Sequence, residues 1–241
     1  MKNLLTLVFT LFVATSTMFS QEDYQDLLII KADGDWEELI KKSERYTFKS
    51  GSEDDAIPYY YMAYGLYKIS FVGDRDEKYD NAFKDALTAT GKMMKKDKNG
   101  EVQEKYAEFI NELKMNLLEL IQNEFGNDEY RRAFGWVMRL YKFGRNYPQA
   151  KYLEGVCRYR NTDKSTARLK WKEGKELLES SEPNSWGEAD KKLMMLGLYE
   201  SAKVLKESRQ TDTAKDIMNL GAPYFEDNEQ WQEYYDEIVN S

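Results

Sequence analysis

The amino-acid sequence predicts an all-α fold in which antiparallel helical hairpins follow one another along the chain. After residue 20, apolar residues recur at intervals of three and four, which is the spacing of one helix face. Long segments of alternating polar and apolar residues, which would indicate strands, are missing. The four prolines, at positions 58, 148, 183 and 223, each lie near a predicted break between helices.

The clearest hairpin lies within residues 148–178, where two helical runs each present a face of apolar and small residues. Gly155 in the first run precedes Ala167 in the second by twelve residues. The same interval separates Ala202 from Ala214, so a second hairpin repeats the arrangement. The faces are Tyr152, Gly155, Val156 and Tyr159 with Ala167, Trp171, Gly174 and Leu178, and then Leu198, Ala202 and Leu205 with Ala214, Met218 and Gly221.

Helix pairs are also predicted upstream, over residues 23–48, 58–94 and 101–143. Within the third pair, the apolar spacing predicts one continuous helix over residues 101–125, which would be about 35 Å long. Downstream, Asn228 is placed to cap a final helix. The aromatic face of that helix would cover the end of the last hairpin.

The two hairpins with the twelve-residue interval resemble tetratricopeptide repeats, in which a small residue of the first helix meets an alanine of the second. Gly155 with Ala167, and Ala202 with Ala214, carry the resemblance. It implies an α-solenoid of about five helix pairs with a C-terminal capping helix and a groove lined by the first helices. Proteins of this family hold peptides or other proteins and perform no chemistry. Because 47 residues separate Gly155 from Ala202, against a family period of 34, a looser helical repeat stays open as the alternative.

The first twenty residues have the features of a secretory signal peptide. Lys2 supplies a positive start, the segment from Leu4 to Val13 is mostly apolar, and small polar residues follow. A transmembrane anchor is the rival interpretation, but the apolar run is shorter than the ~20 residues that a spanning helix needs. We therefore expect a signal peptide at residues 1–20 and a single helical repeat domain at residues 21–241. This domain would be periplasmic or secreted, without stable membrane insertion.

Composition limits the chemistry that the chain can perform. There is no histidine, which removes the usual base of serine and cysteine nucleophiles and most catalytic zinc sites. Cys157 is the only cysteine, so an intramolecular disulfide is excluded and burial in a helix is the favoured interpretation. The acidic loops at 53–55 and 74–77 lack the spacing of an EF-hand. We predict no catalytic residue, cofactor or metal; a cell-envelope hydrolase that uses paired carboxylates is the alternative from another class.

Charge is separated along the chain, although the net charge is only −8. Residues 21–130 carry 15 cationic and 25 anionic side chains, residues 131–175 carry 13 and 3, and residues 176–241 carry 6 and 15. Like charges four apart on a helix cost ~0.2–0.5 kcal/mol per pair. The basic block is therefore either a solvated face balanced by the acidic flanks, or a site for an acidic protein segment, an anionic polymer or a membrane surface.

Three groups of side chains are candidates for binding a partner. Two are stripes of cations at helical spacing, namely Arg131, Arg132, Arg139 and Lys142, and then Lys164, Arg168, Lys172 and Lys175. The third is the aromatic series Tyr60, Tyr64 and Tyr67, for which the packing face of a repeat helix is the alternative interpretation.

Together these features predict a non-enzymatic extracytoplasmic scaffold or adaptor. It would hold a protein or peptide partner through the repeat groove, the basic block at residues 131–175, or both. Nucleic acid is disfavoured as a partner, because the chain is acidic overall and shows no recognised nucleic-acid-binding motif. The sequence makes no prediction of oligomeric state.

Overall fold

A computed structural model of the protein describes residues 24–240, and the predicted signal peptide lies outside this range. The described chain is all-α, which confirms the predicted fold class, and it contains twelve α-helices and no strand. The helices are α1 (Gln25–Asp33), α2 (Trp36–Phe48), α3 (Ala56–Ile69), α4 (Ala82–Lys96), α5 (Glu101–Lys105), α6 (Ala107–Gly126), α7 (Tyr130–Leu140), α8 (Pro148–Arg160), α9 (Lys164–Glu179), α10 (Glu188–Glu207), α11 (Thr211–Phe225) and α12 (Glu229–Tyr235). A π-helical turn at Asp236–Asn240 follows α12. None of these helices combines the length and the apolar character that crossing a membrane requires.

Several helices begin at a side chain that accepts a hydrogen bond from the first turn, an interaction worth about 1 kcal/mol. The predicted cap at Asn228 is confirmed, because its side-chain oxygen accepts the backbone N–H of Trp231 at 3.1 Å. Asp35, Asp55 and Asp163 cap α2, α3 and α9 in the same manner. Short polar side chains thus fix where these helices begin.

The prediction of one continuous helix over residues 101–125 is wrong, because the chain breaks into α5 and α6 at Tyr106. The backbone of Tyr106 leaves helical geometry, with φ −114° and ψ 26°. Its ring stacks on Tyr60 of α3, with centroids 3.4 Å apart and planes at 7°. A tertiary contact here outweighs the helical periodicity of the local sequence.

The first half of the core surrounds α3, which packs between α2 and α4. The close approach of α2 and α3 requires Gly65, since a Cβ there would lie 2.8 Å from Cγ1 of Ile40. Between α1 and α2 the chain turns at Gly34, whose φ of 74° favours glycine. These contacts produce a helical layer in which α3 is buried on most sides.

Helix α6 joins the first half of the chain to the second. On one side, the Tyr67 hydroxyl of α3 donates to the Glu112 carboxylate of α6 at 2.9 Å. On the other, the Lys114 ammonium of α6 forms an ion pair with Asp190 of α10 at 2.7 Å. Tyr147 also donates its hydroxyl to Asp190. The two halves are thus held together by polar contacts around α6 as well as by the apolar core.

Helices α8 and α9 form an antiparallel pair with small residues at the crossing. A Cβ at Gly155 would fall on the indole of Trp171, and one at Gly174 would lie 2.9 Å from the ring of Tyr152. The residue numbers rise on one helix as they fall on the other, which defines the antiparallel direction. The Trp171 indole N–H donates to the Tyr152 carbonyl at 3.2 Å and so locks the pair together.

Helix α10 packs against both α8 and α11. The α8–α10 contact is close at Gly197, where a Cβ would lie 2.9 Å from Cβ of Tyr152. At the C-terminus, Trp231 of α12 is 1% exposed and rests on Gly221 of α11. The final helix thus covers the apolar end of the last pair, as the sequence predicts.

Candidate functional site

The predicted aromatic series on α3 faces the protein interior. Tyr60 and Tyr67 are each 2% exposed, and Tyr64 is partly buried beneath the Lys31 ammonium, which lies 4.1 Å from its ring centroid. Burial also raises the pKa of Tyr60 and Tyr67 well above the usual tyrosine value. The packing interpretation therefore describes this series, and Tyr60 and Tyr67 offer a partner almost no surface.

The second cationic stripe lies on α9, and its charges are largely compensated within the molecule. Lys172 and Lys175 approach Glu176 and Glu179 one turn away, at 4.0 and 3.7 Å. The remaining two members are also occupied, since Arg168 donates to the Gln210 side chain at 3.3 Å and the Lys164 ammonium lies over the Tyr159 ring at 5.1 Å. Exposed pairs of this kind contribute little stability, but they lower the local positive potential.

Four other cations of the basic block, on α8 and α9, form ion pairs as well. Lys151 and Lys170 both contact Glu173, at 2.6 and 2.9 Å, and hydrogen bonds from these lysines lower the pKa of the Glu173 carboxyl. Arg158 pairs with Glu154 at 2.7 Å, and Arg160 with Glu207 at 2.6 Å. Ion pairs thus involve six of the thirteen cations between residues 131 and 175, counting Lys172 and Lys175 of α9.

The first stripe keeps its charge uncompensated, and we call it the α7 cluster: Arg131, Arg132, Arg139 and Lys142. Arg131, Arg132 and Lys142 are exposed, and none forms an ion pair or side-chain hydrogen bond with any residue in 24–240. Arg139 lies over the ring of Trp136 with its guanidinium carbon 5.9 Å from the centroid. Arg145 is likewise exposed and forms no ion pair within residues 24–240, so the α7 cluster and Arg145 are the part of the basic block that is free to attract an anion.

Two members of the α7 cluster stand at a position that costs the helix stability. Arg131 and Arg132 lie in the first turn of α7, which contains no acidic residue. The N-terminus of a helix carries a partial positive charge, so a cation there costs roughly 0.3–1 kcal/mol. Neither arginine has a partner in the described chain that would offset this cost. The placement favours a role for these charges outside the fold itself.

A cleft of about 480 Å³ meets the α7 cluster at Trp136, which lines the cleft and lies under the Arg139 guanidinium. Phe71, Phe83 and Trp136 supply aromatic walls, and Phe71 is 61% exposed. The lining also carries polar side chains, namely Arg75, Asp80, Asn116, Glu119 and Asn123. We call this site the aromatic cleft.

Arg75 lines the aromatic cleft and has a buried donor without a partner in the described chain. Its Nη1 donates to the carbonyls of Ser70 and Val72, at 3.3 and 3.0 Å, which fixes the guanidinium against the loop. Its Nε is buried and has no hydrogen-bond partner in the described chain. An unsatisfied buried donor costs roughly 1–3 kcal/mol, so an acceptor supplied by a ligand would be stabilising.

Several carboxylates of the two acidic loops make contacts within the fold. Asp55 caps α3 and accepts the Tyr24 hydroxyl at 2.9 Å, while Asp54 pairs with Lys96. Asp76 caps a short 3-10 turn. Within residues 24–240 no group of three or more acidic or cysteine side chains is arranged to hold a metal ion.

The aromatic cleft escaped sequence reasoning, although two signals for it are present. Trp136 lies four residues after Arg132 and three before Arg139, so it shares the face of the cationic stripe. Phe71 follows the tyrosine series at helical spacing and begins a charged loop, where an aromatic side chain is not expected to be buried.

No protein-family model, curated protein or solved structure matches this chain, so its own surfaces are the guide to its function.

Proposed function

We propose that the protein is a non-enzymatic scaffold or adaptor that binds an acidic segment of another protein. The observation that carries this proposal is the junction of the α7 cluster with the aromatic cleft at Trp136. Lys84 and Arg139 both lie over the Trp136 ring, at 5.8 and 5.9 Å, so positive charge borders the aromatic wall of the cleft. A partner segment with carboxylates around one apolar anchor residue matches both features.

The architecture that we propose for this scaffold is a solenoid of helix pairs similar to tetratricopeptide repeats. The antiparallel pairs α8–α9 and α10–α11, with α8 packed on α10, support it. A helical cover at the C-terminus, formed by Trp231 and the π-helical turn, is also typical of such arrays. Helix α6 contacts α10 as well as its neighbour α7, which is a departure from uniform stacking of successive pairs.

We also propose that the scaffold acts outside the cytoplasm. The signal-like residues 1–20 support this placement. The single cysteine agrees with it too, because Cys157 is fully buried and cannot form an adventitious disulfide in an oxidising compartment.

The test is a direct binding measurement with residues 21–241 and a fluorescein-labelled acidic peptide that carries one phenylalanine. We expect the affinity measured by fluorescence polarisation to fall steeply as the salt concentration rises, because surface charges attract the peptide. Replacing Arg131 and Arg132 by glutamine should weaken binding about tenfold, which corresponds to about 1.4 kcal/mol. The matched control replaces Lys172 and Lys175 by glutamine and should change binding little.

Equal losses in the two double variants would show that the α7 cluster is not the site. A further variant, Phe71→Ser, removes an exposed side chain of the aromatic cleft at little cost to folding. It should weaken the binding of peptides that carry phenylalanine and leave the binding of purely acidic peptides unaffected. Affinity capture from the cell envelope at low and high salt, with the same variants as bait, would then identify the natural partner.

A cell-envelope hydrolase is the second candidate, because Asp80 and Glu119 both line the aromatic cleft. Glycoside hydrolysis uses two carboxylates that face each other across the scissile bond. Release of reducing sugars from purified envelope glycan, abolished by Glu119→Gln, would favour this activity over the scaffold. No release at any protein concentration, together with salt-dependent peptide binding, would favour the scaffold.

A further inference from the structure

A second cavity, of about 570 Å³, lies where α6, α8 and α10 meet the beginning of α7 and the last helix. Its walls include the rings of Phe125, Tyr130 and Tyr234. Its floor carries Glu200 of α10, one turn beyond Leu196 on the same helix. This site does not share a residue with the α7 cluster or the aromatic cleft.

Glu200 is a buried carboxylate without a partner. It is 8% exposed, and it makes no hydrogen bond or ion pair with any residue between 24 and 240. Burial raises the pKa of its carboxyl above the usual glutamate value. A buried ionised carboxylate is expensive unless a cation or hydrogen-bond donor reaches it. The fold itself supplies neither in direct contact.

The two cations nearest to Glu200 make their direct contacts elsewhere, although Arg160 keeps a buried Nε without a hydrogen-bond partner in the described chain and the charges of both cations partly offset the raised pKa of Glu200. Arg160 directs one nitrogen to Glu207 at 2.6 Å, and its guanidinium lies 5.1 Å above the Tyr130 ring. The Lys203 ammonium lies over the Tyr199 ring at 5.4 Å. Glu200 thus faces the cavity as an available negative charge, with aromatic rings around it.

We propose that this cavity binds a primary alkylammonium group and that Glu200 is its counterion. An ammonium ion at this position would supply the missing ion pair, and the rings of Tyr130 and Tyr234 would border it. The methylene chain of the ligand would lie against Phe125 and Leu196. A free amine and the side chain of a lysine in a peptide share this chemistry.

The proposal does not rest on the scaffold function, because it concerns another cavity and a ligand of opposite charge. An acidic peptide that binds at the α7 cluster would leave Glu200 unaffected. Conversely, loss of amine binding in a Glu200 variant would not change the affinity for an acidic peptide. Failure of one proposal is thus distinguishable from failure of the other.

The experiment measures binding of n-butylammonium, and of an acetylated and amidated Gly-Lys-Gly peptide, to residues 21–241 by calorimetry and NMR shift changes. The neutral control ligand is n-butanol. We expect Glu200→Gln to lower the affinity for the cationic ligands at least about tenfold, which corresponds to a loss of about 1.4 kcal/mol of binding free energy. The matched control variant, Glu188→Gln, alters an exposed carboxylate of the same helix and should bind as the natural chain does.

Binding of butylammonium assigns the site to free amines, and binding of the peptide alone assigns it to lysine side chains. Equal affinity for butylammonium and butanol, or no binding of either cation, overturns the proposal.

The pH dependence of the unaltered protein gives a second test that does not depend on a variant. Amine binding should strengthen as pH rises through the raised pKa of Glu200, because only the ionised carboxylate attracts the ammonium ion. The charged and titratable groups that face or influence Glu200 are Arg160 from α8, Lys203 and Glu207 from α10, Asp128 and Tyr130 from the beginning of α7, Tyr234 from α12 and Glu237 from the C-terminal turn. Affinity that is flat between pH 4 and 8 would contradict the assignment.

Stability supplies the last readout. Because the folded pKa of Glu200 is raised, its contribution to folding is favourable at low pH and is lost as pH rises through that pKa. At neutral pH, Glu200→Gln should therefore raise the thermal midpoint while it weakens amine binding. A variant that lowers the midpoint and keeps amine affinity would show that Glu200 has only a structural role.

Discussion

Replacing Gly155 by alanine should destabilise the protein, because the added methyl group would occupy space that the Trp171 indole fills. A Cβ at this position would lie 2.8 Å from Cε2 of Trp171 and closer still to two other ring atoms. The indole has little freedom to retreat, since it is 7% exposed, is stacked on Tyr159 and donates a hydrogen bond to the Tyr152 carbonyl.

The size of the effect follows from three contributions. Overpacking a closely packed site costs about 1–3 kcal/mol. Displacing the indole would also weaken its hydrogen bond to Tyr152, which is worth about 0.5–1.5 kcal/mol. Alanine is favoured over glycine in a helix by about 1 kcal/mol, which offsets part of the loss. We expect a net loss of about 2 kcal/mol, which would lower Tm by roughly 4–8 °C in a chain of this size.

Urea unfolding followed by circular dichroism would measure the change, with Gly135→Ala as the matched control. Gly135 lies on the exposed face of α7 with no atom within 4 Å of the added methyl, so that variant should be stabilised by about 0.4–1 kcal/mol. In a Trp171→Met background, Gly155→Ala should cost less, because methionine can move aside. If Gly155→Ala is as stable as Gly135→Ala, the proposed close contact between α8 and α9 does not exist.

Two further predictions concern buried groups. The Cys157 thiol is fully buried, and burial raises its pKa, so it should react with Ellman's reagent only after the protein is unfolded; rapid labelling of the native protein would contradict this burial. Asp190→Asn should destabilise the α6–α10 junction by about 2 kcal/mol, because it leaves Lys114, only 12% exposed, without its counterion. The comparison variant is Glu188→Gln, whose exposed pair with Lys192 should contribute under about 0.5 kcal/mol in the same urea titration.

The helical architecture could be predicted from the sequence because its determinants are local. Helical spacing of apolar residues and a capping side chain such as Asn228 act within a few residues, so they are readable without a structure. The break at Tyr106 could not be predicted in this way. It accompanies a ring stacked on Tyr60, 46 residues earlier in the chain, and no local pattern encodes that contact.

The spacing predicts a close helix contact at Gly155, and the three atoms nearest to a Cβ there belong to Trp171. The sequence pattern names Ala167 on the facing helix and gives no sign of this indole contact. Spacing shows which residues share a face and leaves open which of them meet across a hairpin. The second hairpin carries Ala202 and Met218 where the first has Gly155 and Trp171. The larger residue on the first helix thus accompanies a smaller side chain on the second.

Charge along the sequence is a weaker guide than packing, because ion pairs form between distant segments as readily as between neighbours. The acidic C-terminal segment sends Glu207 to Arg160, and Glu176 and Glu179 lie beside the α9 lysines. The C-terminal acidic flank therefore cannot be treated as a surface separate from the basic block, and ion pairs within the fold compensate most of the charge on α8 and α9. What survives is the α7 cluster, whose first two arginines stand at the unfavourable end of a helix dipole. A charge that costs stability and has no partner within residues 24–240 is available to an external one, and for this reason we propose the binding surface on α7 rather than on the α9 stripe.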